Sequence, residues 1–157
     1  MLTSRRDYLL RLIEEIGRLL SRVVAKRAEG RDQEALETVV QGFQRLFQLD
    51  ADQIFLLTPD QHYDLLARAE QPEDARDQIL LYAALSAEAG RLYSKLGNRP
   101  MARATFLNAL RFTLRARAQY TTEALPAYTP DVRELLAALA DQPLDAPTAA
   151  LVRAVSE

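Results

Sequence analysis

The chain has 157 residues, a formal charge of −2, and 48% hydrophobic and 27% charged residues. That length suits one domain with a core that needs no covalent staples. It contains no cysteine, which excludes disulfides, thiolate metal sites and thiol nucleophiles. Alanine and leucine dominate, glycine is down to five residues, and apolar positions recur at helical rather than alternating spacing. The predicted fold is therefore all-α, a compact set of antiparallel helical hairpins.

The first helix is predicted from about Ser4 to Ala28, with Ser4 as cap and Asp7 as its partner. Arg11, Glu14, Glu15 and Arg18 interrupt its apolar residues, so neither a secretory leader nor a membrane span is expected and the protein is read as cytoplasmic. Leu9, Ile13, Ile16, Leu20 and Val23 form a heptad-like seam, widened by Leu10, Leu12, Leu19 and Val24. So broad an apolar face must be covered on more than one side, either within the monomer or in a homodimer. Glu14–Arg18 and Arg11–Glu15 have the spacing of surface ion pairs.

Gly30 punctuates, and Asp32 is the expected cap of a second helix running to Leu49, with Leu36, Val39, Val40, Phe43, Leu46 and Phe47 inward. Ile54-Phe55-Leu56-Leu57 is expected to tuck as a turn beneath the bundle. Thr58-Pro59-Asp60-Gln61 is a strong helix start, combining a cap, a proline and a third-position glutamine. It opens a short helix over about 59–70. Pro72 begins a long helix to about Leu96, with Glu73, Asp74 and Asp77 near its positive dipole end. Gly97-Asn98-Arg99-Pro100 makes a tight turn into a helix over about 100–119. Residues 1–120 read as the helical domain. In 121–157, Pro126, Pro130, Pro143 and Pro147 cut the chain into pieces, with two short helices expected to pack on the same domain.

Counting from Gly90, Tyr93 follows three later, Gly97 seven later, Ala102 twelve later, Phe106 sixteen later and Ala109 nineteen later. This pattern over 83–116 resembles a tetratricopeptide helical hairpin, in which small residues let two helices approach and aromatics fill around the contact. Ser86 and Leu114 depart from it, at the usual tryptophan and proline positions. A weaker copy spans about 16–49, with Gly30 at the turn, Ala35 at the close contact and Gly42 for the second alanine. Two copies fall short of the three or more repeats of a solenoid.

Asp7-Tyr8-Leu9-Leu10-Arg11-Leu12-Ile13-Glu14-Glu15-Ile16-Gly17-Arg18, Glu34-Ala35-Leu36, Leu46-Phe47-Gln48-Leu49-Asp50 and the Gly97 turn together resemble a family of uncharacterised small bacterial proteins, a domain of unknown function. The resemblance covers about 5–118. It implies tetratricopeptide-like helical structure and no known activity.

His62, the sole histidine, lies near Asp60 and Asp64. It is expected to face solvent, and one histidine with two carboxylates in one turn makes a poor zinc site. Neighbouring carboxylates such as Glu73 and Asp74 diverge on a helix. The glycines do not cluster as a phosphate loop. Neither an enzyme, a metal nor a cofactor is expected.

Charge is segregated. Residues 1–30 carry seven basic and four acidic groups, 31–80 four and eleven, 81–120 seven and one, and 121–157 two and six. The repeat hairpin is thus the basic part of a mildly acidic chain. Its cations could pair with the acidic 31–80 region, or could form a binding face centred on Arg91, Lys95, Arg99 and Arg103. The function expected is a scaffold or adaptor that binds a peptide or partner helix, with a homodimer possible through helix one or the tail. The alternative is binding of nucleic acid or another anionic ligand by the 81–120 segment.

Overall fold

The computed structural model describes the backbone of residues 2–120 and 124–156, and the side chains of residues 7–120 and 124–155. Eight helices and no strand occur among the described residues. They are α1 (Leu2–Ala28), α2 (Asp32–Phe47), α3 (Ala51–Phe55), α4 (Pro59–Leu66), α5 (Pro72–Lys95), α6 (Arg99–Gln119), α7 (Val132–Ala138) and α8 (Ala146–Ser156). The fold is all-α. One antiparallel hairpin is α1–α2 and the other α5–α6, with α5 packed against both helices of the first.

Local chemistry sets most of the boundaries. Gly30 and Gly97 both sit at φ +78°, the left-handed conformation that closes a helix and favours glycine. At α4 the Gln61 amide donates to the Thr58 hydroxyl at 3.2 Å, while the Thr58 amide donates to Gln61 Oε1 at 2.8 Å, a complete capping box. Asp32 is not a cap: Arg31 holds that position and Asp32 is the first helical residue. α1 already runs through Ser4, and the expected cap hydroxyl there lies outside the described residues. So do Thr121–Glu123 at the start of the predicted tail. The short helix expected over 59–70 stops at Leu66.

Two cores stack through the bundle. The larger draws on α1 through α6, with Ile16, Val23, Ile79, Leu81 and Leu85 fully buried. Every residue from Gln78 to Gly90 is buried, so the middle of α5 is covered on nearly every side, as a central helix must be. The second core lies on the far side of α6. There Leu110 and Leu114 meet Leu135 and Leu139, with Leu151, Val152 and Val155 partly buried against them. α7 and α8 therefore close the outer face of α6.

The 54–57 cluster departs from expectation. Ile54 alone is buried, at the end of α3, while Phe55 and Leu56 are 64% and 85% exposed. A five-residue helix presents one anchor to the core and turns the next two side chains outward.

The repeat glycines earn their place by distance. A Cβ at Gly90 would lie 2.6 Å from Phe106 Cδ1 and Cε1, and one at Gly42 would lie 2.8 Å from Leu85 Cδ2. Ala102 and Ala109 are buried at the same α5–α6 contact.

Candidate interaction surface

His62 is not at the surface. It is buried, its Nε2–H donates to the Ile54 carbonyl at 2.8 Å, and its Nδ1 accepts from the Tyr82 hydroxyl at 3.1 Å. These partners fix the neutral Nε2–H tautomer. Burial pulls the imidazole below its ordinary pKa, opposed by the Ile54 carbonyl. Burial also pushes Tyr82 up to about 12, against hydrogen bonds from Ser86 and Asn108.

The stability consequence has a definite sign. The folded His62 pKa lies below the unfolded value of about 6.5, so between the two the unfolded chain binds the extra proton. Stability is therefore expected to fall as pH drops below about 6.5 and to be independent of this group above neutrality. Urea midpoints from pH 7.5 to 5 check it: the acid-side slope should shrink in His62→Gln, and parallel pH profiles for the two proteins would refute the assignment.

Three of the four basic residues predicted as a binding face have acidic partners within the chain. Arg91 pairs with Glu88 at 2.9 Å and with Glu134 at 3.3 Å. Lys95 bonds Asp32 at 2.9 Å and the Arg27 carbonyl at 3.2 Å. Arg103 reaches Asp141 at 3.4 Å and the Pro143 carbonyl at 3.2 Å. Arg99 is exposed and lines, with Arg103, Pro100 and Leu107, a depression of about 510 Å³ on α6.

The rest of the basic segment follows the same rule. Arg111 holds Asp145 at 2.8 Å and the Thr148 hydroxyl at 2.8 Å. Hydrogen bonds from Thr148 and Arg111 hold the Asp145 carboxyl down at about 2. Arg115 lies 3.7 Å over the Tyr63 ring and 3.3 Å from Asp60. The acidic tail thus engages three of these cations, through Glu134, Asp141 and Asp145, while Asp32 and Asp60 of the acidic 31–80 region engage two.

The expected Arg11–Glu15 pair of α1 is replaced by other contacts, and among the described residues Glu14 and Arg18 are not within ion-pair distance of each other. Glu15 is taken by Arg45 of α2 in a two-bond fork at 2.9 and 2.8 Å, which is stronger than a single flexible contact along one helix. Arg11 donates to the Asp7 carbonyl instead.

Three segments distant in sequence enclose a groove of about 640 Å³. One wall is α1, through Gly17, Leu20, Ser21 and Val24. The floor is α5, through Ala84 and Ala87, with Glu88 and Arg91 at one end. The opposite wall is the chain from Ala127 to Asp131, followed by Glu134 of α7. Two bonds from α5 and to it fix that wall: Arg76 donates to the Ala124 carbonyl at 3.0 Å, and the Tyr128 hydroxyl donates to the Asp77 carbonyl at 3.2 Å. Glu88 is held by both Arg27 and Arg91.

Gly17 faces open space, since an added Cβ would meet nothing within 4 Å. It lies inside α1, where glycine costs about 0.5–1 kcal/mol relative to alanine. Gly17→Ala is therefore expected to stabilise the protein by about that amount, seen as a raised thermal midpoint. A lowered midpoint would mean that the position is closed. Of the groove-lining residues only Arg91 is a binding candidate from the sequence; Leu20 and Val24 read there as part of the apolar face of α1.

Among the described residues no group of three or more His, Cys, Asp or Glu side chains could hold a metal ion, and no described helix is long and apolar enough to cross a membrane. No family model, curated protein or solved structure matches the chain.

Proposed function

We propose that this protein is a non-catalytic, cytoplasmic interaction module, a scaffold or adaptor, that docks a peptide or a partner helix in the groove between α1, α5 and the 127–134 segment. The observation that carries the reading is the groove itself: an open trough with a floor of small apolar side chains, bordered by Val24, which is 43% exposed. Apolar clefts with a few charged groups at the ends are where ligands bury most surface. The hairpin architecture and the resemblance to bacterial tetratricopeptide-like proteins are consistent with it.

The alternative is an anionic ligand on the basic 81–120 segment. Its exposed cations are Lys95, Arg99 and Arg117, and of these Lys95 is already paired with Asp32; the ion pairs of Arg91, Lys95, Arg103 and Arg111 would have to open first. We therefore favour the groove.

The test is selection of displayed peptides on the wild type, followed by titration of the selected sequences against Gly17→Leu and against Arg99→Glu. Gly17→Leu should retain the fold and lose affinity by tenfold or more, on the order of the apolar contacts it blocks. Arg99→Glu should bind normally. Peptides indifferent to Gly17→Leu but lost with Arg99→Glu would favour the anionic reading instead.

A further inference from the structure

Leu10 and Val24 are large apolar side chains of α1 that stay 44% and 43% exposed, Val24 in the wall of the groove. They stand seven residues to either side of Gly17. Seven residues are about two helical turns, so the three positions lie along one stripe. The stripe reads the same from either end: a large apolar residue, two turns, an open glycine, two turns, a large apolar residue. A surface of that kind complements itself when turned end for end, which is the requirement of a twofold interface.

Building on the groove reading, we propose that the partner helix is α1 of a second copy, packed antiparallel with Gly17 against Gly17. In that register Leu10 meets Val24 of the second copy, and Val24 meets Leu10 of the second copy. The absent Cβ at Gly17 allows the two helix axes to approach closely at the midpoint. α1 has 27 residues and is about 40 Å long at ~1.5 Å per residue, so the seam is long enough to fix one register. Antiparallel packing also sets the two helix dipoles favourably.

Charge supports the same register. Among the described residues the ion pairs of α1 run through Glu15, to Arg45, and Arg27, to Glu88. Glu14 and Arg18 are exposed and form neither of these bonds, although, besides the Arg45 hydrogen bond, the Arg18 charge helps hold the Glu15 carboxyl below its ordinary pKa. They lie on the solvent-side flank of the stripe, on either side of its centre. The antiparallel register brings Glu14 to within about two residues, ~3 Å along the axis, of Arg18 of the second copy. Symmetry then supplies the pair twice.

The experiment is sedimentation velocity on the full chain from about 1 to 100 μM, a range that covers an ordinary homodimer affinity. The wild type should approach twice 17.7 kDa with rising concentration. Leu10→Glu with Val24→Glu should raise the dissociation constant about a hundredfold with unchanged helical circular dichroism, since both sites are exposed. Glu14→Arg and Arg18→Glu should each weaken the dimer about tenfold, and the double reversal should restore it. A wild type that stays monomeric overturns the proposal, as does a dimer unmoved by Leu10→Glu/Val24→Glu or a double reversal without rescue. A monomer that still binds selected peptides in a Gly17-dependent way overturns this inference alone and leaves the groove reading standing. A monomer whose peptides ignore Gly17 removes both.

Discussion

Phe112→Ala is expected to destabilise the protein by about 3–5 kcal/mol, the range for deleting a buried phenylalanine. Phe112 is 1% exposed. Its ring stacks on Tyr82 with centroids 4.3 Å apart and an interplanar angle of 22°, and it meets Tyr63 edge-on at 5.3 Å. Tyr82 in turn contacts Phe43 at 5.2 Å and Phe47 at 5.8 Å. One ring on α6 therefore helps clamp α4 and α5, and through Tyr82 reaches α2. Removing it leaves a void among rigid rings, which collapse poorly into empty space. Urea denaturation would show the midpoint shift, and a loss under ~1 kcal/mol would mean that this layer repacks freely. A second readout is independent of stability. Phe112 supports the Tyr82 ring whose hydroxyl donates to His62. Loosening that ring and admitting water should move the His62 titration back toward its ordinary value. His62 is the one histidine of the chain, so its imidazole resonance can be followed without assignment ambiguity. An unchanged titration would separate the packing of Phe112 from the environment of His62.

That layer also marks the limit of what the sequence carried. The all-α class, both hairpins and the Thr58–Gln61 box were legible because each is written in adjacent residues: an apolar period of 3.6, a glycine turn, a cap with its third-position partner. α3 was written in the same alphabet, since the Asp50 amide donates to Gln53 Oε1 at 3.0 Å, yet its length hid it among connector residues. His62 was misplaced for a different reason. Its partners are the Ile54 carbonyl and the Tyr82 hydroxyl, which local spacing cannot bring together. A polar residue made inward-facing by distant partners is invisible to periodicity. The ion pairs show the same effect. Helical spacing nominated Arg11 for Glu15, but Arg45, thirty residues away, offers a fork. Charge blocks left open whether the 81–120 cations would pair with acids of the 31–80 region or form a binding face. They did not foretell that the tail would supply Glu134, Asp141 and Asp145. The groove, assembled from residues 17–24, 84–91 and 127–134, depends on a tertiary path that helical periodicity alone does not encode.

Gly90→Ala carries the second large expectation, a loss of about 1–3 kcal/mol, the usual cost of forcing an extra methyl into a packed contact. Helix propensity alone argues the other way, since alanine in a helix interior is favoured over glycine by about 0.5–1 kcal/mol. Distance decides between them. The new Cβ would lie 2.6 Å from Phe106 Cδ1 and Cε1 and 2.8 Å from Cζ. Those atoms belong to a flat, stiff ring that is itself 7% exposed, so it cannot swing into solvent as a long flexible chain would. The α5–α6 contact must open or the ring must leave its rotamer. Phe106→Leu replaces the ring by a smaller, branched chain and should relieve part of the clash. The double mutant is then expected to be more stable than the sum of the two single losses, with a coupling of about 0.5–3 kcal/mol. Additive losses would mean that Gly90 and Phe106 do not press on each other. Gly17→Ala is the internal control, because both glycines sit inside helices and the same atom is added to each. One helix meets open space and the other meets an aromatic edge, so opposite signs at the two positions would isolate the tertiary contact from backbone propensity.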